Sequence, residues 1–243
     1  MSGSFCDAFS MDGRLRAVLG LMGKAQLACD VGCDHGYLAA ALVLQGRAGR
    51  VLASDISPAS VEKAALLARS LGIEDRMRVL CADGLNVVPE DAEGYSLAVC
   101  GMGGELIAKL LGRSPEKARR AGVIVMQPMR GEAELREYLL THGFGLVDER
   151  VVRDSGRYYQ VISAKYGLET AYPDGFPKGW YRFGPIMAQR PEAELLPLLS
   201  HYLDVYEGEL EKARKKGREP ENMLREAENT RALIRFVRER EGN

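Results

Sequence analysis

The sequence predicts an α/β fold: a doubly wound sheet of seven strands, mostly parallel, followed by an antiparallel pair of helices. Three observations predict it. Between residues 14 and 165, short apolar runs alternate with helical patterns, as repeated βαβ units require. Consecutive runs close on aspartate or glycine, the residues that turn a strand into the next helix. From Pro191 onward, apolar residues recur only at steps of three and four.

The elements follow in order. Residues 1–12 read as a loose lead-in, and Arg14–Leu21 as a helix with Leu15, Val18, Leu19 and Met22 on one side. Strand 25–29 leads into helix 35–46, strand 50–54 into helix 58–71, and strand 76–81 stands third. Ser57 is expected to cap helix 58–71, with Pro58 at its first position. Strand 95–100 precedes helix 104–112. Strand 121–126 precedes helix 131–142, and Pro128 is expected to stop that strand. Runs 144–152 and 157–165 flank Asp154-Ser155-Gly156 and read as a closing hairpin, which supplies one antiparallel strand. Residues 167–191 are rich in Pro, Gly and aromatics and read as a packed connector, since flexible linkers lack aromatics. Leu195, Leu199, Tyr202, Tyr206 and Leu210 mark one short helix. Met223, Ala227, Thr230, Ile234 and Val237 mark its partner beyond a turn at 216–220, and the seam is coiled-coil-like. The expected division is therefore 1–166, 167–191 and 192–243.

The turn after the first strand carries the most information. Asp30-Val31-Gly32-Cys33-Asp34-His35-Gly36-Tyr37 has the place of a nucleotide-cradling turn. Its glycines are not those of a pyrophosphate site, which needs G-x-G-x-x-G so that phosphates can sit on bare amides. Asp-x-Gly-x-x-x-Gly instead opens on a carboxylate, which repels phosphate and suits a cation. S-adenosyl-L-methionine (SAM), with an ammonium and a sulfonium, is such a ligand. Asp55, with Ile56, closes the second strand where a ribose-binding acid belongs, and is expected to stay free for ligand. Asp83-Gly84 closes the third, suited to the amine of adenine. Gly32, Cys33 and Gly36 complete the expected SAM turn. Gly101-Met102-Gly103-Gly104 puts three glycines in four residues at the fourth strand's end, where the backbone comes close to something. Gln127 is placed to point its amide at a substrate base. Asp34 is the candidate catalytic carboxylate beside the donor. Tyr37 is a candidate stacking residue. His35 reads chiefly as a first-turn residue bonding backbone.

Bulk properties bound the reading. The chain has 243 residues, 46% hydrophobic and 28% charged, with net charge −1. That is room for one large domain or a domain with an appendage. No apolar run approaches the length of a membrane span, and no basic segment with an apolar core opens the chain. The five cysteines (6, 29, 33, 81, 100) are an odd number, mostly at strands, as in reduced cytoplasmic proteins. Cys29 and Cys33 have no second pair, so no metal site is expected. Overall charge does not advertise a nucleic acid, but Lys212, Lys215 and Lys216 cluster with Arg214 and Arg218, and Arg14 and Arg16 form a second group.

Taken together, Asp30-x-Gly with Asp-His-Gly-Tyr, Asp83-Gly84, Gly101-Met-Gly-Gly, Gln127-Pro128 with Leu135-Arg136, and Tyr158-Tyr159-Gln160 resemble the bacterial tRNA (adenine-22) ring-nitrogen-1 methyltransferases, the TrmK family. The likeness covers nearly the whole chain. It implies a class I SAM-dependent methyltransferase domain with a Rossmann-like sheet, SAM as donor, and the D-arm adenine of tRNA as acceptor. By that resemblance the donor site maps onto Asp30, Gly32, Asp55, Asp83 and Gly101, with Asp34 beside it; Gly84 and Met102, next to them in the chain, are expected to complete it. The candidate tRNA contacts are Arg14, Arg16, Tyr37, Gly103, Gly104 and the lysines at 212, 215 and 216, whose two basic groups suit phosphates on two parts of an RNA. Two departures stand out: Met129 replaces the family's frequent Asn after Gln-Pro, and Asp55 its frequent Glu. A cytoplasmic monomer is expected. The alternatives are another RNA or small-molecule methyltransferase on this fold, or a non-catalytic module that binds SAM or RNA.

Overall fold

Most of the expected strands are longer than their apolar runs. The computed structural model describes residues 11–169, 176–190 and 192–241; Cys6, Tyr172, Pro191 and the lead-in before Met11 lie outside them. Helix α1 (Gly13–Leu21) is followed by β1 (Ala25–Val31), α2 (Tyr37–Leu44), β2 (Ala48–Asp55), α3 (Pro58–Ser70) and β3 (Met77–Cys81). Next come β4 (Ser96–Gly103), α4 (Gly104–Arg113), α5 (Pro115–Arg120), β5 (Val123–Arg130) and α6 (Glu132–Thr141). The hairpin β6 (Phe144–Asp154) and β7 (Arg157–Tyr166) turns on Ser155 and Gly156, both at positive φ. Helices α7 (Pro185–Gln189), α8 (Leu195–Arg214) and α9 (Glu221–Glu241) complete the order.

The seven strands lie in the order β3-β2-β1-β4-β5-β7-β6, and β7 alone runs antiparallel to its neighbours. Strand residues alternate between two cores. Ala28, Val51, Ala53, Ala98 and Val125 face α1, α2 and α3. Cys29, Val31, Leu52, Leu97, Val99, Ile124 and Met126 face α4, α5 and α6. Strand order reverses between β1 and β4, which pair Asp30 with Ala98 and Val31 with Val99. In an open α/β sheet the crevice outside such a reversal is where ligands bind.

Four expectations need correction. Helix 35–46 begins only at Tyr37, because Asp34 and Gly36 both take positive φ and hold the turn open. Pro128 does not stop β5. The strand runs to Arg130, and Pro128 sits opposite Met102 between two register shifts, beyond the last β5–β7 pair at Met126, so no ladder donor is lost on the β7 side. Helix α5 was not expected; Ser114-Pro115 starts it within what reads as a loop. The C-terminal helices are not short, at 20 and 21 residues. Ser57 does cap α3, accepting from the Ser60 N–H at 3.4 Å.

The connector packs as its aromatics suggest. Phe183, Met187 and Ala188 join Val151 of β6 with Leu195 and Leu199 of α8 and Leu233 and Val237 of α9 in a third core. Farther out, Tyr206 and Leu210 meet Ala227, so α8 and α9 pair in opposite directions. A buried polar cluster ties connector to sheet. Arg136 of α6 is fully buried; it donates to Glu149 Oε1 at 2.6 Å, to Gln160 Oε1 at 2.8 Å and to the Tyr181 carbonyl at 2.7 Å. Glu149 Oε2 in turn accepts the Ile186 N–H at 2.9 Å, and Gln160 donates to the Arg182 carbonyl at 2.9 Å. Every partner of the guanidinium is thus satisfied inside the protein.

Candidate active site

A cleft of about 470 Å³ opens where β1 and β4 end, lined by Asp30, Gly32, Cys33, Asp34, His35 and Tyr37 from the first turn. Asp12, Arg14 and Leu15 of α1, Cys100 and Gly101 of β4, Met129 of β5 and Tyr159 of β7 close it. The β1 turn is fixed from below by two hydrogen bonds, Gly32 N–H and Cys33 N–H to the Ser54 carbonyl, at 2.8 and 2.9 Å.

Asp30 dominates the electrostatics. It is 3% exposed, yet its Oδ2 has no hydrogen-bond partner in a cleft it helps line. Burial foremost, and the nearby Asp55 charge, push its carboxyl up to about 7, against the opposing pull of the Ala39 N–H. An orphaned buried acceptor calls for a donor from outside the chain. A ligand ammonium satisfies it and a phosphate does not, so the donor set fits the SAM expected from the sequence. Burial also pushes the Cys33 and Cys100 thiols up, so both stay neutral walls.

Asp34 sits at φ 46° with its side chain largely exposed to the cleft. Its Oδ2 lies 2.8 Å from His35 Nδ1, and the His35 ring stacks on Tyr37 at 5.5 Å with 7° between planes. His35 therefore bonds the Asp34 carboxylate rather than backbone. The strained backbone is held by Asp55, which accepts the Asp34 N–H at 3.2 Å.

Several expected site residues do other work. Asp55 is not free: its second oxygen accepts the Ser57 N–H at 2.9 Å, so it braces the first turn, although carboxylate lone pairs remain for a ribose. Gln127 is fully buried and cannot present its amide to a base. Its Oε1 accepts from Arg14 at 2.8 Å and from the Gly101 N–H at 3.3 Å, and its Nε2 donates to the Pro128 carbonyl at 2.6 Å. Gln127 is a positioning residue for the cleft wall. Arg14 lies inside the cleft, 3.2 Å from Asp12 and over the Tyr159 ring, while Arg16 turns away to the Met11 carbonyl. Asp83 is exposed and 3.5 Å from Arg113; with Ile56, 70% exposed, it stands farther along the same sheet edge, outside the cleft.

The glycines divide by what approaches them. Gly32 faces the cleft, and Met102 Cε lies 2.1 Å from where its Cβ would stand. Gly101 takes φ 73° beside Arg14. Gly36, by contrast, is needed by the chain itself, because a Cβ there would meet Ala64 at 2.9 Å. Gly84 packs on Leu110, and Gly103 beside Arg130. At Gly104 a Cβ would lie 2.1 Å from the Gly131 carbonyl oxygen. Gly36, Gly84, Gly103 and Gly104 do not line this cleft. Gly104→Ala is expected to cost about 1–3 kcal/mol of stability and leave SAM affinity unchanged. Urea denaturation and calorimetry check this; lost affinity at unchanged stability would return Gly104 to the site. At the far end of α8, Lys212 pairs with Glu209 at 2.6 Å and Lys215 with Glu211 at 2.8 Å; Lys216 stands beside them.

Residues 11–162, more than half the chain, match the family model described as a methyltransferase domain. The chain belongs to the methyltransferase-domain family. The methyltransferase is 28% identical over 199 residues to the Bacillus subtilis tRNA (adenine(22)-N(1))-methyltransferase, covering 80% of this chain and 83% of that one. It is 30% identical over 158 residues to a Mycoplasma pneumoniae protein provisionally named a tRNA methyltransferase, covering 64% of this chain and 71% of that one. A solved Streptococcus pneumoniae structure, provisionally described as a tRNA (m1A22) methyltransferase, superposes with a TM-score of 0.79 at 25% identity, covering 94% of this methyltransferase and 98% of that chain. The sequence signals for Asp12 and Tyr159 as cleft residues were weak: an N-cap carboxylate and one member of an aromatic pair.

Proposed function

We propose that this methyltransferase carries the methyl group of SAM to ring nitrogen 1 of adenine 22 in the D-arm of tRNA. The observation that carries the reading is the buried, unpartnered Asp30 oxygen in a cleft at the β1–β4 reversal. The likeness to the Bacillus subtilis enzyme supplies the acceptor. The proposed division of labour gives residues 1–166 the chemistry, 167–191 the link and 192–243 contact with RNA. Lys212, Lys215 and Lys216 then face phosphates; surface pairs to glutamate are worth little and exchange partners readily. The protein works as a monomer in the cytoplasm, and among the described residues no helix is long and apolar enough to cross a membrane.

Bound SAM supplies a methyl group already activated on a sulfonium. The protein's task is therefore to position and to manage charge. Asp30 would hold the ammonium, the backbone of Gly32 and Gly101 along the cleft would face the donor, and Asp55 would stand toward its ribose. Ring nitrogen 1 lies on the Watson–Crick edge, so the adenine must leave its pair before it enters. That nitrogen attacks with its own lone pair, so no proton needs to leave it. Positive charge moves instead onto the purine. The Asp34 carboxylate, held by His35, faces that growing charge and accepts from the 6-amino group. Arg14 is fastened to Asp12 and Gln127 and forms the wall opposite.

Asp34→Asn is expected to leave SAM binding intact, because asparagine tolerates positive φ, and to lower kcat by about 100-fold. Single-turnover methylation reads this; wild-type turnover would remove Asp34 from the chemistry. The function itself is tested with tritiated SAM and two full-length tRNAs, one with adenine at position 22 and one with guanine there. Incorporation only into the first is expected, and equal incorporation would overturn the assignment.

A further inference from the structure

Beyond Met129 and Tyr159 the cleft continues into a second hollow of about 270 Å³, walled by Pro128, Met129, Tyr158, Tyr159, His201 and Tyr202. The hollow is composite. Tyr158 and Tyr159 come from β7 of the sheet, whereas His201 and Tyr202 come from α8 of the helical pair. Its rings pack against one another as one aromatic platform: His201 lies 5.7 Å from Tyr158 and 5.7 Å from Tyr202, centroid to centroid. Cations line or back it. Arg157 is part of the wall, and the Arg153 guanidinium sits 5.7 Å from the Tyr158 centroid. Glu132 is the one acid at its edge among the described residues.

We propose that this hollow receives the base of a nucleotide directly flanking the target adenine, stacked against the platform formed by the Tyr158 and His201 rings. The proposal rests on the tRNA reading above and deepens it. When the target leaves its stack, its neighbour loses a stacking partner, and an aromatic platform beside the exit replaces what was lost. Stacking is tolerant of base identity, because every base presents a π face. The arginines match the phosphate that joins the two nucleotides. The hollow shares Met129 and Tyr159 with the cleft that Asp34 lines, so a base seated there lies next to the target. A role also follows for the helical pair: it carries half of the platform and does not act only through its distant lysine-rich end.

The test compares wild type with His201→Ala, an exposed position on α8 whose truncation leaves the cores intact. A second variant, Tyr158→Leu, keeps an apolar side chain in the third core. Affinities are measured at one fixed salt concentration for the native tRNA and for tRNAs made abasic immediately before or after position 22. Each variant is expected to bind native tRNA roughly tenfold more weakly, with SAM affinity unchanged. One of the two abasic tRNAs is expected to lose a similar factor with wild type, and the combined loss is expected to stay near tenfold rather than multiply. The proposal is overturned if the variants bind native tRNA like wild type, if neither abasic tRNA binds more weakly, or if the losses multiply to roughly 100-fold. If wild type fails to methylate native tRNA at all, the underlying function falls first, and this proposal with it.

Discussion

Asp30→Asn is expected to weaken SAM binding by about 2–5 kcal/mol, roughly 30- to 4000-fold, and to remove its pH dependence. In the wild type the carboxyl is pushed up to about 7, from 3.8, chiefly by burial. A bound ammonium favours the ionised form, so below pH 7 binding must expel a proton. Affinity should therefore rise about tenfold per pH unit up to about 7 and level off above it. Stability of the free protein has the opposite slope. The unfolded chain ionises Asp30 first, so as pH rises from about 4 to 7 the folded state loses a few kcal/mol on this account, and nothing further is lost above that window. Asparagine at this position should flatten both profiles. Isothermal titration at a series of pH values gives the first and urea denaturation the second. A wild-type affinity that is flat between pH 5.5 and 8, or a variant that keeps the slope, would mean that Asp30 does not hold the cation.

Arg136→Met is expected to destabilise the fold by about 3–5 kcal/mol. Arg136 and Glu149 both have fully buried side chains, so the variant leaves a carboxylate inside the protein without its cation. Two connector carbonyls, of Tyr181 and Arg182, lose donors at the same time. The paired variant Arg136→Met with Glu149→Leu should recover part of the loss, because a buried pair replaced by apolar side chains is often nearly neutral. Full recovery is not expected, since the Ile186 N–H and the Tyr181 carbonyl remain unmatched, the Arg182 carbonyl keeping only its Gln160 donor. The same cluster anchors the connector that precedes α8, so tRNA affinity should fall with stability while SAM affinity does not. Equilibrium urea denaturation measures the first effect, and a loss below 1 kcal/mol would contradict the role given to the cluster.

The sheet was legible because its strands are buried on both faces and read as apolar runs. The crevice was legible because aspartates close those runs. What misled was ambiguity of cause. A glycine beside a cleft and one packed inside the chain look alike in a sequence; Gly32 and Gly101 line the cleft, whereas Gly36 is closed off by Ala64 and Gly104 by the Gly131 carbonyl. Gln127 looked available because its partner, Arg14, is 113 residues away. The Arg136 cluster was invisible for the same reason, with partners 13, 24 and 45 residues along the chain. Pro128 was read as a stop because proline lacks a donor, but β7 no longer pairs at that level and β5 runs on. The lysines of α8 had glutamates three and four residues before them in plain sequence, which spacing alone could have paired.

The proposed function requires the β1–β4 crevice to suit a positively charged methyl donor and not a diphosphate. Calorimetric titration of the full chain at pH 8 with SAM and, separately, with NAD tests this most directly. Saturable one-site binding of SAM with no heat from NAD is the predicted result. Binding of NAD at comparable affinity, or no binding of SAM, would contradict it.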